Sequence, residues 1–92
     1  MFVEEVIAFA ILKSLGDFEW SSWTKMPYTF VGYLDNKYCK TKKVIVDSDE
    51  KEVIIITEDE ISAREITKLS TVLGNFKIKH DENGRIIIKL SW

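Results

Sequence analysis

The chain has 92 residues, of which 46% are hydrophobic and 12% aromatic, and its formal net charge is −2. This composition is that of one globular domain with a single core, and it excludes a disordered tail or a fibrous protein. The single cysteine, Cys39, excludes an internal disulfide, so we expect a reduced, cytoplasmic protein. The absence of Gln beside eleven Lys resembles thermophile composition, and AT-rich coding produces the same bias.

The first predicted element is a helix over residues 2–15. Glu4 and Glu5 lie near its start, Lys13 lies in its last turn, and Gly16 stands at the expected C-cap. More than half of its circumference is apolar, so we expect the sheet or a second copy of the chain to cover it. Because the apolar run is too short for a bilayer and lacks a basic start, we predict neither a membrane span nor a signal peptide.

The segment after this helix, residues 16–30, contains five aromatic residues whose spacing fits neither a helix nor a strand. One interpretation is a lid in which Phe18, Trp20 and Trp23 fold over the end of the core. The other is a partly exposed rim whose tryptophans anchor a protein partner or a second subunit. The predicted partner-binding residues are Phe18, Trp20, Trp23, Tyr33 and Tyr38.

A three-stranded antiparallel meander is predicted between Tyr28 and Thr57, where β-branched and aromatic residues alternate with turn residues. A turn at Asp35 and Asn36 leads to three cross-strand pairs on the outer face: Tyr33 with Tyr38, Val31 with Lys40, and Thr29 with Lys42. The opposite, buried face then carries Tyr28, Phe30, Leu34 and Cys39. A second turn over residues 47–51 brings Val46 opposite Val53 and Ile45 opposite Ile54.

A second helix and a final hairpin complete the predicted fold. The helix begins at a capping box formed by Thr57 and Glu60 and ends at Gly74. Its predicted inward residues are Ile61, Ile66, Leu69, Val72 and Leu73. The hairpin turns through residues 82–84 with Gly84 left-handed, and its predicted pairs are Phe76 with Leu90, Ile78 with Ile88, and His80 with Ile86. In this register Trp92 also faces inward.

These elements predict one α+β domain over residues 1–92. Its sheet is a single layer of five mostly antiparallel strands, with two helices, in the order α-β-β-β-α-β-β. We expect the apolar side of the sheet to face the helices and the charged side to face outward.

Lysines on the predicted outer face indicate a second type of partner. The hairpin register places Lys77, Lys79 and Lys89 together, and the meander adds Lys40 and Lys42 beside Tyr33 and Tyr38. Lysines next to aromatic rings on a sheet are typical of proteins that bind single-stranded nucleic acid. Lysine also protects edge strands from aggregation, and a net charge of −2 disfavours a dedicated nucleic-acid domain.

An acidic group gives a third alternative. Asp35, Asp47 and Asp49 lie near Lys51, and the order of helix, three-stranded meander, helix and strand resembles the core of restriction-endonuclease-like nucleases. The resemblance implies an acid on the second strand and an acid-x-Lys pair on the third, which hold Mg²⁺ and position a water. Here Asp35 falls in a predicted turn and Lys51 in a loop, so the likeness is one of topology only.

Taken together, the sequence predicts a small non-enzymatic module that acts by protein–protein contact and self-associates through the first helix and the tryptophan segment. No cofactor and no metal site is predicted. Nucleic-acid binding through the lysine-rich face and a degenerate Mg²⁺-dependent nuclease remain the alternatives.

Overall fold

The computed structural model describes residues 2–16, 18–36, 39–57, 63–72 and 75–92, and the side chains of these residues except 36, 39–41, 63, 65 and 66. The described residues form two helices and six strands: α1 (Val3–Leu15), β1 (Glu19–Met26), β2 (Thr29–Asn36), β3 (Cys39–Asp47), β4 (Glu52–Thr57), α2 (Ala63–Ser70), β5 (Asn75–His80) and β6 (Ile86–Ser91). All neighbouring strands are antiparallel, in the order β1-β2-β3-β4-β6-β5. The predicted α+β class is confirmed, whereas the predicted five strands and their order are corrected to six.

The additional strand, β1, is the aromatic segment for which we expected a lid or a rim. Trp20 pairs with Leu34 and Trp23 with Gly32, so both tryptophans lie on one face although they are three residues apart. Ser21 lies between the paired positions Trp20 and Ser22 and is the extra residue of a β-bulge. This bulge breaks the period of two, which is why the spacing concealed a strand.

A two-residue turn, Pro27–Tyr28, connects β1 to β2. Tyr28 has a φ of 63°, and a proline followed by a residue with positive φ is the arrangement of a type II turn. Tyr28 is 66% exposed, so the prediction that it starts a strand and faces the core is wrong. Phe30 and Leu34 are buried as predicted.

The register between β2 and β3 differs from the predicted one. Val31 pairs with Ile45 instead of Lys40, and Asn36 pairs with Cys39, so the predicted turn at Asp35 and Asn36 belongs to β2. The shift is an odd number of positions, which exchanges the two faces of β3. It buries Val44 and Val46 completely and takes Lys42 with them. Burial of two β-branched side chains outweighs the cost of enclosing one lysine stem.

The remaining registers are confirmed. Val46 pairs with Val53 and Ile45 with Ile54 across β3 and β4, and β5 pairs with β6 through Phe76–Leu90, Ile78–Ile88 and His80–Ile86. Asp81 donates its backbone N–H to the carbonyl of Arg85 at 3.0 Å, which closes a loop in which Gly84 has a φ of 78°. The left-handed glycine therefore sets the hairpin register, as predicted.

Both helices contribute to a core on one face of the sheet, which we call the covered face. α1 contacts β2, β3 and α2. The buried apolar residues are Ile7, Ala8, Ile11, Leu15, Phe18, Phe30, Leu34, Val44, Val46, Val53, Ile55, Leu69, Ile88 and Leu90. α1 matches its predicted span, and Gly16 closes it with a φ of 86° and an N–H bond to the Leu12 carbonyl.

The structure describes α2 over Ala63–Ser70. Leu69 is buried and Val72 packs against the core, as predicted. Thr57, the predicted capping residue, is the last residue of β4. The other predicted helix features at Glu60, Ile61, Leu73 and Gly74, and the side chain of Ile66, lie outside the described residues.

The opposite, open face of the sheet is apolar at its centre, which corrects the expectation of a charged outer side. Its central side chains are half-buried by their neighbours along and across the strands: Val31, Ile45, Ile54, Ile56 and Ile87. Lys77, Lys79 and Lys89 lie at the margin of this face that is formed by β5 and β6, and Lys43 of β3 lies beside Tyr33. The run EVIIIT of β4 is therefore apolar on both sides of the sheet.

Candidate interaction surfaces

An aromatic cluster attaches β1 to the rest of the sheet. Phe30 lies at its centre, with Trp20 edge-on at 5.1 Å between ring centroids and Trp23 stacked at 5.3 Å. Phe9 of α1 approaches the same ring at 6.4 Å. Gly32 makes room for Trp20, because a Cβ at this position would lie only 2.6 Å from Trp20 Cζ3.

The three aromatic residues for which we predicted a partner-binding role differ in accessibility. Phe18 is buried in the core, and Trp20 is half-buried against Phe30. Trp23 is 48% exposed and presents one side of its ring to solvent. Of these three side chains, Trp23 offers the most surface to a partner.

Next to this cluster, a groove of about 410 Å³ lies between the start of α1 and the β1–β2 turn. It is lined by Phe2, Glu4, Lys25, Met26, Pro27 and Tyr28. Phe2 is 65% exposed, and Tyr28 is exposed to a similar extent. Large side chains at this level of exposure leave most of their apolar area in water.

A polar network fixes the floor of the groove. The buried carboxylate of Glu4 accepts a hydrogen bond from Ser48 Oγ at 2.9 Å and pairs with Lys25 Nζ at 3.6 Å. Ser48 also donates its backbone N–H to the Tyr28 carbonyl at 2.9 Å, and Lys25 Nζ lies 4.7 Å from the centroid of the Phe2 ring. The network therefore joins α1, the β1–β2 turn and the β3–β4 turn.

The pKa of Glu4 lies below its ordinary value. A hydrogen bond from its own backbone N–H is the main cause; burial opposes this effect, and Ser48 and Lys25 add to it. The carboxylate is thus held in its charged form at neutral pH, where it keeps Lys25 in place.

The groove is part of a larger apolar area that we call the α1–β1 surface. Its exposed side chains are Phe2, Val3, Val6, Trp23, Met26 and Tyr28. Phe2 directly precedes α1, Val3 and Val6 lie in its first turn, and the others follow β1 and its turn. The surface therefore combines the first helix and the tryptophan segment, the two regions from which we predicted self-association.

The predicted lysine group is retained only in part. Lys77 lies directly opposite Lys89, and Lys79 pairs with Ile87, so these three lysines share the open face as predicted. Lys42 does not, because the shifted register turns it to the covered face, where it is 2% exposed. Its Nζ lies 3.4 Å from Thr57 Oγ1 and 5.2 Å from the centroid of the Phe18 ring.

Tyr33, on the open face, lies far from the group of Lys77, Lys79 and Lys89. Tyr33 is exposed, and Lys43 Nζ, which sequence reasoning did not select, lies 5.9 Å from its ring centroid. Between Tyr33 and Lys79 are four strand spacings, about 19 Å in all. Tyr38 and the side chain of Lys40 lie outside the described residues.

The acidic residues of the nuclease alternative do not converge. Asp35 lies near one end of β2, whereas Asp47 pairs with Thr29 at the other end, about 20 Å away. Asp47 Oδ1 accepts backbone hydrogen bonds from Asp49 and Glu50, so it organises the β3–β4 turn. Lys51 follows in that turn with a φ of 52°.

The remaining polar candidates are a metal-binding cluster, His80 and Cys39. In the parts of the chain that the structure describes, no group of three His, Cys, Asp or Glu side chains could hold a metal ion. His80 shares the face of Ile86 as predicted, but it is exposed instead of buried. Cys39 lies in β3, and its side chain is outside the described residues.

Sequence reasoning missed most of the α1–β1 surface, because helical amphipathicity assigns exposure poorly when nearly every position is apolar. The signal that could have located it is Pro27, which marks a turn at its own position and so makes the following tyrosine a turn residue. The open-face isoleucines had a clearer signal, since a continuous run such as EVIIIT indicates a strand with two apolar faces.

Comparison with known proteins finds no matching family model, no matching curated protein and no matching solved structure. Neither described helix combines the length and hydropathy that crossing a membrane requires.

Proposed function

We propose that this chain is a small cytoplasmic protein-interaction module that forms a homodimer through the α1–β1 surface. The observation that carries the proposal is the concentration of exposed aromatic and aliphatic side chains around one preformed groove. Phe2 and Tyr28 project beside it, and Trp23 extends it along β1. Aromatic anchors next to a pocket are typical of the residues that dominate binding energy at protein interfaces.

The groove needs little reorganisation on binding. The Glu4 carboxylate holds Lys25 and Ser48, and Ser48 in turn holds the Tyr28 carbonyl, so the walls and floor are connected to three separate elements. A surface that is ordered before association loses less conformational entropy when it binds. Burial of its exposed apolar area then stabilises the complex.

A second copy of the chain is the partner that fits this surface. The surface contains both projecting rings and a groove, so a two-fold arrangement can place Tyr28 of each copy against the groove of the other. Its two charges, Glu4 and Lys25, pair with each other within one chain. Two copies therefore meet without like-charge repulsion, which the lysine margin of the open face does not allow.

The two alternatives receive less support. For nucleic-acid binding, three of the predicted lysines remain on the open face, but Ile56 and Ile87 separate them from Tyr33, whose cationic neighbour is Lys43. For the nuclease, Asp35 and Asp47 lie too far apart to share one Mg²⁺.

The proposal is tested by measuring the monomer–dimer equilibrium by sedimentation for the wild type and two matched variants. Tyr28→Asn removes the projecting ring, and asparagine tolerates the positive φ at this position. Tyr33→Asn makes the same side-chain change on the open face. We expect Tyr28→Asn to raise the dimer dissociation constant at least about tenfold and Tyr33→Asn to leave it unchanged.

Circular dichroism establishes that both variants remain folded before the comparison is made. A wild-type protein that stays monomeric over the whole accessible concentration range contradicts the proposal. Loss of the dimer in Tyr33→Asn but not in Tyr28→Asn would also refute it, because the open face would then be the interface. A second variant of the α1–β1 surface, Phe2→Ser, must raise the dimer dissociation constant as Tyr28→Asn does.

A further inference from the structure

At the other side of the sheet from β1, the edge strand β5 presents a second surface with a different chemistry. β5 pairs with β6 and has no other neighbour among the described strands, so one side of its backbone has no strand partner. All six of its residues are exposed. An exposed edge of this kind is a template for an added strand.

On the covered face of the sheet, β5 carries apolar side chains that remain accessible to solvent. Phe76 and Ile78 are 40% and 42% exposed, whereas their direct partners on β6, Leu90 and Ile88, are almost completely buried. The apolar face of the sheet thus continues one strand beyond the buried core. A strand added next to β5 would lay its own inward side chains on Phe76 and Ile78.

The open face of the same strand is cationic. Lys77 and Lys79 alternate with the two apolar residues, and Lys89 lies directly across from Lys77. The ion pairs between described residues are Glu4–Lys25 and Asp81–Arg85, so no described carboxylate pairs with these three lysines. Like charges on neighbouring strands are unfavourable in the free protein, and an anion beside them removes that penalty.

From this alternation we infer that β5 binds an extended peptide in which acidic and apolar residues alternate, added as a seventh strand. The peptide backbone bonds to the free edge, its acidic side chains face Lys77 and Lys79, and its apolar side chains cover Phe76 and Ile78. A groove of about 570 Å³ at this side of the sheet is lined by residues of both kinds, including Phe76, Lys77 and Lys89, and by one carboxylate, Glu52 of β4.

Two other occupants fit this edge less well. A second copy of β5 in antiparallel pairing would bring the lysines of both chains side by side on one face, which is repulsive. A single-stranded nucleic acid would satisfy the lysines, but it would leave the edge backbone without a partner, and Phe76 belongs to the face of β5 opposite to Lys77 and Lys79. An acidic and apolar strand satisfies all three features.

The experiment measures fluorescence anisotropy with the full chain and four probes. They are a short peptide of alternating glutamate and valine, a peptide of the same composition with its glutamates in one block, a peptide of alternating lysine and valine, and oligothymidine. We expect binding of the first peptide alone. Lys77→Glu combined with Lys79→Glu should weaken it by about tenfold or more, whereas the matched exposed variant Lys13→Glu should have no effect.

Amide hydrogen exchange followed by NMR then identifies the binding edge. Strand addition protects alternate amides of β5, whereas association by charge alone leaves their exchange rates unchanged. The inference is overturned if the peptide with its glutamates in one block binds equally well, or if oligothymidine binds more tightly than the alternating peptide. It is also overturned if protection is confined to β1 or if no probe binds. Because β5 is separate from the α1–β1 surface, Tyr28→Asn must leave peptide binding intact.

Discussion

Replacement of Gly32 by alanine tests whether the aromatic cluster is packed as tightly as the structure indicates. A Cβ at position 32 would lie 2.6 Å from Cζ3 and 2.8 Å from Cε3 of Trp20, and 3.0 Å from Cε1 of Phe30. Ordinary carbon–carbon contact begins at about 3.5 Å, so the Trp20 ring must move by about 0.9 Å. The rigid indole packs edge-on against Phe30, so this movement disturbs the contact with Phe30 as well.

Two opposing effects determine the size of the change. Overpacking of this kind costs about 1–3 kcal/mol, while alanine restricts the unfolded chain and contributes about 0.4–1 kcal/mol of stability relative to glycine. Gly32 does not have a positive φ, so backbone strain adds nothing. We therefore expect Gly32→Ala to lower the free energy of unfolding by roughly 1–2 kcal/mol.

Urea denaturation followed by circular dichroism measures this change in two backgrounds, wild type and Trp20→Ala. Removal of the indole removes the collision, so in the second background Gly32→Ala should be neutral or stabilising. The difference between the backgrounds is the coupling between the two positions. An equal loss of stability in both, or a stabilised single variant, would show that contact with Trp20 is not what requires glycine here.

Three further changes probe the polar interior and the last hairpin. Lys42→Met should leave the melting temperature unchanged or raise it, because methionine keeps an unbranched stem without a charge to desolvate; a large decrease would contradict this. Glu4→Gln should lower the free energy of unfolding at pH values above the ordinary carboxyl pKa of 4.5. Urea titrations at several pH values should show this difference from wild type shrinking as the pH falls through the lowered pKa of Glu4. Burial disfavours the ionised form of Asp81, but hydrogen bonds from Arg85 and Asn83 outweigh this effect and lower its pKa. Asp81→Asn should therefore speed amide exchange in the loop at neutral pH and have less effect in acid. Unchanged exchange at neutral pH would refute this.

The parts of the fold that follow a regular pattern could be predicted from the sequence. The hairpin of β5 and β6 is an example, because a left-handed Gly84 and the alternation of Phe76 and Ile78 both require the same register. The pairing of Val46 with Val53 was predictable for the same reason. In these segments, local turn chemistry and burial favour a single arrangement.

The errors arose where local and tertiary preferences disagree. Asp35 and Asn36 are common turn residues, but continuing the strand through them allows Val44 and Val46 to face the core. The same choice determines the position of Lys42, which a pattern of charges alone assigns to solvent. The candidate sites depended on these registers, so the correction removed Lys42 from the outer face.

The one unpaired residue in β1 determines which face of the sheet each tryptophan occupies. Ser21 donates its hydroxyl hydrogen to the Tyr33 carbonyl and tolerates exchange for other small polar residues, yet its removal would restore strict alternation. One indole would then point to the isoleucine side of the sheet, and Phe30 would lose one of its three aromatic neighbours. Among related chains, gaps in an alignment at this point would accordingly signal a different interior, whereas substitutions would not.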